Sequence, residues 1–167
     1  IEENKIFLPG VQIMHKPLRY YPNGDFASHI LGYLGKISSD LEELMEKGYT
    51  PKDMIGKSGI EYSMEEYLKG TDGSMQIEVD ARGTLIATID EIEPTPGDTV
   101  VLTMASKLQK VAEESLKKAI EEARNKKPYP QTFSGAVVAI DVNTGEILAM
   151  ASEPKFDPNL FASGISN

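Results

Sequence analysis

"GAVVAIDVNTGEILAMAS", residues 135–152, consists of two apolar runs on either side of Asn143-Thr144-Gly145. In an extended chain Ala136, Val138 and Ile140 share one face, and Val137 and Ala139 the other. The runs read as a β-hairpin that is apolar on both faces, and such strands are expected to be covered on both. Only residues 153–167 follow. The hairpin is therefore expected to be the first piece of a larger sheet, with one of its cover layers missing from this chain.

The rest of the chain is read outward from that point. It has 167 residues, of which 40% are hydrophobic and 26% charged, the balance of a globular chain rather than a disordered one. A net charge of -9, with no cluster of Lys and Arg, argues against nucleic acid or an anionic membrane surface as partner. The absence of Cys excludes disulfides and thiolate zinc sites, and His15 and His29 are too few and too far apart to found a metal centre. No cofactor is implied. No run of 18 apolar residues and no export leader occurs in the sequence as given.

The remaining segments alternate without a βαβ rhythm, which makes the expected class α+β. "VQIMHK" (11–16) reads as a strand, and "PLRYYPNGD" as a loop. "FASHILGYL" and "SSDLEELMEKG" read as short helices, the second capped by Ser38 or Ser39 and stopped at Gly48. "GIEYSMEEYLKG" has helical spacing through Ile60, Met64, Tyr67 and Leu68, closing at Gly70. "SMQIEVDARG" and "TLIATIDEIEP" alternate as a polar-faced antiparallel hairpin turning at Arg82-Gly83, and "PGDTVVLT" reads as a further strand. The longest helix is expected over about 105–126, with a stripe of Leu108, Val111, Ala112, Leu116, Ala119, Ile120 and Ala123.

Several strings imitate catalytic motifs. Gly56-Lys57-Ser58 lacks the first glycine of a phosphate loop, since Pro51 stands in its place. Two S-x-x-K strings, Ser115 to Lys118 and Ser152 to Lys155, and Lys57-Ser58-Gly59 echo serine acyl-transferase motifs. Each sits in the wrong context. Ser115 lies inside the long helix, on its expected apolar stripe, with no free N–H groups to stabilise an oxyanion. Ser152 is followed by Glu153-Pro154 at a strand exit, and Lys57-Ser58-Gly59 enters a helix instead of lying on a strand. Asp90, Glu91 and Glu93 lack calcium-loop spacing and read as a solvated edge. No catalytic residue and no metal ligand is assigned in this chain.

Four ordered blocks carry a resemblance: "RYYPNGDFASHILGYLGKI", "GKSGIEYSMEEYLKGTDG", "PGDTVVLTMASKLQKVAEESL" and "GAVVAIDVNTGEILAMASEPKFDPNLFASGIS". Together they resemble class B penicillin-binding proteins, and "RYYP" and "FDPNLFASGIS" are most similar to the elongation type, penicillin-binding protein 2. The resemblance implies a non-catalytic pedestal (dimerisation) domain over residues 1–130, incomplete at its start, and the beginning of a transpeptidase domain over 131–167. It implies that the parent is a membrane-anchored, extracytoplasmic serine D,D-transpeptidase acting on peptidoglycan stem peptides and trapped by β-lactams. It further implies that the catalytic motifs lie beyond residue 167, that this portion is inactive by itself, and that RodA and MreC are partners. The family's Asp near the start of the long helix is Ala105 here, so Thr103 or Ser106 is expected to cap.

Two readings follow: a scaffold and docking pedestal of a transpeptidase, or a free-standing envelope module of the same fold, against which the unfinished hairpin argues. Arg19 and Glu61, each set among aromatic and glycine residues, are expected to form an ion pair of structural value. The hairpin of residues 135–152 is expected to self-associate or to fold back onto the long helix, with self-association preferred because the helix stripe should already be taken by the pedestal's own sheet.

Overall fold

The computed structural model describes residues 18–37, 41–81, 85–126, 131 and 133–162. The expected strand at 11–16, the caps Ser38 and Ser39 and the turn at Arg82-Gly83 lie outside them. Helices and antiparallel strand pairs mix as an α+β fold requires. The chain divides into two compact units, Ile1–Leu18 with Glu66–Thr99, and Arg19–Glu65 with Val100–Asn167.

In the larger unit a four-residue helix, α1 (Ser28–Leu31), ends at Gly32, and the chain passes into β1 (Leu34–Lys36). Only the first half of "FASHILGYL" is therefore helical, because the left-handed Gly32, with φ 80°, turns the backbone out of the helix. Helix α2 (Leu41–Glu46) follows, and β2 (Met54–Gly56) pairs antiparallel with β1, matching Leu34 to Gly56. The next helical block breaks at Met64 into α3 (Gly59–Ser63) and α4 (Glu65–Leu68).

The long helix, α5 (Ser106–Arg124), packs against a hairpin of β5 (Gly135–Ile140) and β6 (Ile147–Glu153). Asn143 and Gly145 turn the hairpin, the amides of both bonding Asp141: Asn143 to its carboxylate and Gly145 to its carbonyl. Cross-strand partners Val137 with Ala151 and Ala139 with Ala149 share the face toward α5, where Ala149 and Ala151 are buried and Gly135 lies close to Leu116 and Ile120. The other face carries Val138, 50% exposed, and Met150. After β6 a short helix, α6 (Asn159–Ala162), closes the described chain.

Two expectations for this unit need correction. The buried face of α5 does not follow the apolar stripe; it runs through Gln109, Glu113 and Ile120, with Ala112, Leu116 and Ala123 at its margins, while Leu108, Val111 and Ala119 are exposed. Ser115 is likewise exposed. The helix is also uncapped by any side chain. Ala105 is its N-cap, and the Thr103 hydroxyl donates to the Ile147 carbonyl instead, at 2.9 Å.

The smaller unit is built on β3 (Ser74–Val79) and β4 (Leu85–Ile92), antiparallel with two register shifts. The pairing expected from the alternation is present, but Met75, Val79, Ile86, Ile89 and Ile92 all stand exposed on the ribbon. Thr71 and Thr95 extend it through a reciprocal pair of backbone bonds. "PGDTVVLT" is not a strand. The Asp98 N–H bonds the Tyr67 carbonyl at 2.7 Å, and no ladder forms among the described residues.

Candidate functional site

The polar chemistry of the larger unit is concentrated in buried carboxylates, each held by several donors. Glu61 begins in α3, whose start brings its side chain under the "RYYP" loop. Arg19 Nη2 donates to Glu61 Oε2 at 3.1 Å, and Arg19 Nε lies 3.0 Å from Oε1 as a charge contact without the alignment of a hydrogen bond. Tyr21 donates its hydroxyl to Oε1 at 2.9 Å. Glu61 is 8% exposed and Arg19 35%, so the guanidinium reaches the carboxylate from the solvent side. Burial, and then the neighbouring Glu61 charge, push the Tyr21 phenol well above its ordinary value.

Glu113 is the second such carboxylate. Its position on α5 aims it at the loop before α1, where Oε1 accepts from the Ala27 backbone at 2.8 Å and from Gln109 Nε2 at 2.7 Å. Lys155, just past β6, reaches Glu113 Oε2 at 3.0 Å and Asp25 at 3.1 Å. Burial acts to lower the Lys155 amine, but the bonds to Glu113 and Asp25 outweigh it and the net direction is upward. Gln109, with no exposed surface, also bonds both backbone groups of Met150. A smaller arrangement of the same kind has Glu65 accepting from the Tyr49 hydroxyl at 3.0 Å and from the Gly56 amide at 2.8 Å.

Downstream of β6, Asn159 brackets Tyr21, donating to its carbonyl and accepting from its amide, both at 2.9 Å. Phe156 packs edge-on to His29, Tyr33 and Phe161, and Pro158 is fully buried.

The carboxylates of these clusters are taken up by bonds to Arg19, Tyr21, Gln109, Lys155 and the Ala27 backbone. Lys155 pairs with two carboxylates, Glu113 and Asp25. Lys118 leans to Glu122 at 3.9 Å, while Ser115 sits within an intact helix. Among the described residues no group of three potential metal ligands occurs, and no helix is long and apolar enough to cross a membrane. Of the residues singled out in the sequence, Arg19 and Glu61 are in direct contact. Tyr21, Gln109, Glu113 and Asn159 are not singled out by the sequence reading, and Lys155 enters it only as the end of the string from Ser152. Their one sequence signal is a polar residue interrupting an apolar helix face, as Gln109 and Glu113 do.

Comparison with known proteins assigns this arrangement to a class. The profile of the penicillin-binding protein dimerisation domain matches residues 1–102, and that of the penicillin-binding protein transpeptidase domain matches residues 135–167. The chain belongs to the penicillin-binding proteins that carry this dimerisation domain. It is 38% identical to the peptidoglycan D,D-transpeptidase MrdA of Acinetobacter baumannii, over 99% of this chain and 23% of the relative. Among solved structures it is similar to the penicillin-binding protein PBP2 of Helicobacter pylori in its complex with MreC, with TM-score 0.61 and 32% identity over 90% of this chain and 25% of the other. A chain from a peptidoglycan synthase complex, described as coordinating polymerization and crosslinking, gives TM-score 0.68 and 37% identity over 88% of this chain and 26% of the other. The chain thus spans about a quarter of the length of the relatives it matches.

Proposed function

We propose that this chain is the supporting portion of a penicillin-binding protein 2-type peptidoglycan D,D-transpeptidase, with residues 1–130 as pedestal and 131–167 as the start of the catalytic domain. In the whole protein, a serine outside this chain attacks the penultimate D-Ala carbonyl of a stem peptide. The terminal D-Ala leaves with a proton, and the acyl group passes to the amine of a neighbouring stem; β-lactams trap the acyl stage. The portion in hand holds that domain away from a membrane anchor on the extracytoplasmic face and receives elongation partners. The relative solved with MreC supports MreC as one partner, and the likeness to a polymerizing and crosslinking complex supports a glycan polymerase of the RodA kind.

The observation that carries the non-catalytic role is the pairing of Lys155 with Glu113 and Asp25, which removes the one lysine spaced for S-x-x-K chemistry on the hairpin. Incubating the chain with a fluorescent penicillin, followed by intact-mass measurement, tests it. No adduct is expected; a stoichiometric adduct on Ser152 or Ser115 would overturn the reading. In parallel, purified MreC is expected to retain the chain on a sensor surface, and a null result there would remove the docking role.

A further inference from the structure

We propose that the loop Tyr21–Ala27 and the segment Pro154–Ala162 open and close as one unit, coupled through Glu113 and Asn159. The inference stands on geometry alone and does not depend on the catalytic reading. Two ties join these segments, which lie more than a hundred residues apart in sequence. At one end of the loop, Asn159 exchanges two hydrogen bonds with the backbone of Tyr21, as a neighbouring strand would. At the other end, Lys155 bonds Asp25 and Glu113, and Glu113 in turn holds the Ala27 amide.

The second tie holds a conformation that the loop does not favour unaided. Ala27 has φ 52° and ψ 26°, the left-handed region that a non-glycine residue occupies when its surroundings impose it. Releasing Glu113 frees Ala27 to leave that region, and the amide of Tyr21 is then held against a loop with no fixed far end. Between the ties, His29 Nε2 meets the Pro154 carbonyl at 2.9 Å, and Phe156 packs on both His29 and Tyr33. Asn159 and the Lys155–Asp25 pair join the two segments directly, while Glu113 bridges Ala27 to Lys155 from the surface of α5. The apolar part of the hairpin's contact with α5, at Ala149, Ala151 and Ile120, takes no part in these bonds, and Gln109 links its polar part, at Met150, to Glu113. A displacement of the "RYYP" loop is therefore passed to the chain leaving β6 directly through Asn159 and, at the loop's other end, through Glu113 on the surface of α5.

Amide exchange resolved by NMR on the 167-residue chain, titrated with low denaturant, tests the coupling. The amides of Tyr21, Ala27 and Asn159 are expected to merge on one opening transition below that of the α5 amides. Separate transitions for loop and tail would overturn the proposal. Asn159→Ala leaves every bond of Glu113 in place, yet it is expected to speed exchange at Ala27 by about tenfold or more with α5 unchanged. Unchanged exchange at Ala27 would overturn it. Glu65→Gln, whose hydrogen bonds among the described residues go to Tyr49 and Gly56, is the comparison. Equal acceleration at Tyr21 and Ala27 in that variant would mean that the loop follows overall stability, and would also refute the coupling.

Discussion

Gln109 and Met150 exchange two hydrogen bonds, the Met150 amide donating to Gln109 Oε1 at 2.8 Å and Gln109 Nε2 donating to the Met150 carbonyl at 2.9 Å. A side-chain amide thereby occupies the place of a neighbouring strand on the outer edge of β6. The Ala105 amide, bonded to the Leu148 carbonyl, continues the closure. Unpaired strand edges recruit other chains, and this one is sealed by the start of α5. Gln109→Leu keeps the volume but strands both Met150 groups and removes a donor from Glu113. Each buried group left unsatisfied costs about 1–3 kcal/mol, so a loss of about 3 kcal/mol is expected in urea unfolding. A loss under about 1 kcal/mol would show that the edge is closed by other groups.

The Arg19–Glu61–Tyr21 cluster should respond asymmetrically to substitution. Glu61 is the buried partner, so Glu61→Gln weakens three contacts at once. Arg19→Met removes a guanidinium that solvent already reaches and leaves Glu61 with the Tyr21 hydroxyl. Losses of about 2–3 kcal/mol for Glu61→Gln and about 1–2 kcal/mol for Arg19→Met and Tyr21→Phe are expected from thermal unfolding. Equal, near-zero effects would mean that the pair is a solvated surface contact.

Stability should fall at alkaline pH. The Tyr21 phenol is raised by burial and then by Glu61, and that of Tyr49 by burial and then by its bond to Glu65. Lys155 is raised by its carboxylate partners against the effect of burial. For all three the folded state keeps its proton to higher pH than the unfolded chain does. The unfolded state therefore binds fewer protons above pH ~10, and stability, fully present below that value, is lost as pH rises through it. The slope is at most about 1.4 kcal/mol per pH unit for Tyr21. Denaturant midpoints measured from neutrality to pH ~11 should be level and then decline. Tyr21→Phe should make the decline shallower, and an unchanged slope would refute the assignment.

Legibility in the sequence followed the range of the interactions. Both long hairpins and α5 are visible because alternation and helical period are local properties. The face that α5 buries was misread, because Gln109 and Glu113 are made acceptable in the interior by Met150, Ala27 and Lys155, partners that no local pattern reveals. "PGDTVVLT" has strand composition, yet its Asp98 amide bonds the Tyr67 carbonyl and no strand pairs with it among the described residues, so β-propensity yields to context. Likewise "GIEYSMEEYLKG" shows a continuous helical period, but the helix breaks at Met64, and Glu65 just after the break accepts from the Gly56 amide, a partner outside the block's own period. Arg19 and Glu61 stand out in sequence as charges among aromatics and glycines; Tyr21 and Asn159, whose contributions include backbone bonds, carry no such mark.

Glycines at left-handed positions should divide sharply by surroundings. Gly59, with φ 60°, opens α3 where an added Cβ would run into the Ile30 carbonyl. Gly24, with φ 59°, has open space around it. Gly24→Ala is expected to cost about 1–2 kcal/mol, the left-handed penalty alone. Gly59→Ala must also push α1 and α3 apart and should exceed that by at least about 2 kcal/mol, or prevent folding. Similar melting temperatures for the two variants would show that the α1–α3 approach is loose.

The β5–β6 hairpin has its α5 side closed and its opposite side open. The sequence favours self-association on the ground that the stripe of the long helix is taken by another sheet; in the structure that helix packs on the hairpin itself. One of the two faces is thus satisfied within the chain, and Gln109 seals the edge of β6. Among the described residues, the outer edge of β5 has no partner strand, and the side chains of Val138 and Ile140 stand exposed. Since Met150 directs its backbone groups to Gln109, alternation turns those of its partner Val138 outward as well, toward that open edge. Weak, concentration-dependent pairing through β5 is therefore expected in sedimentation velocity, and Val138→Lys should abolish it while changing stability by less than about 0.5 kcal/mol. Ala149→Leu, on the closed face, should instead cost about 1–3 kcal/mol by overpacking against α5 without altering association. A chain that stays monomeric at every concentration, with β5 amides exchanging as slowly as those of α5, would show that the edge is already protected and would refute pairing through it.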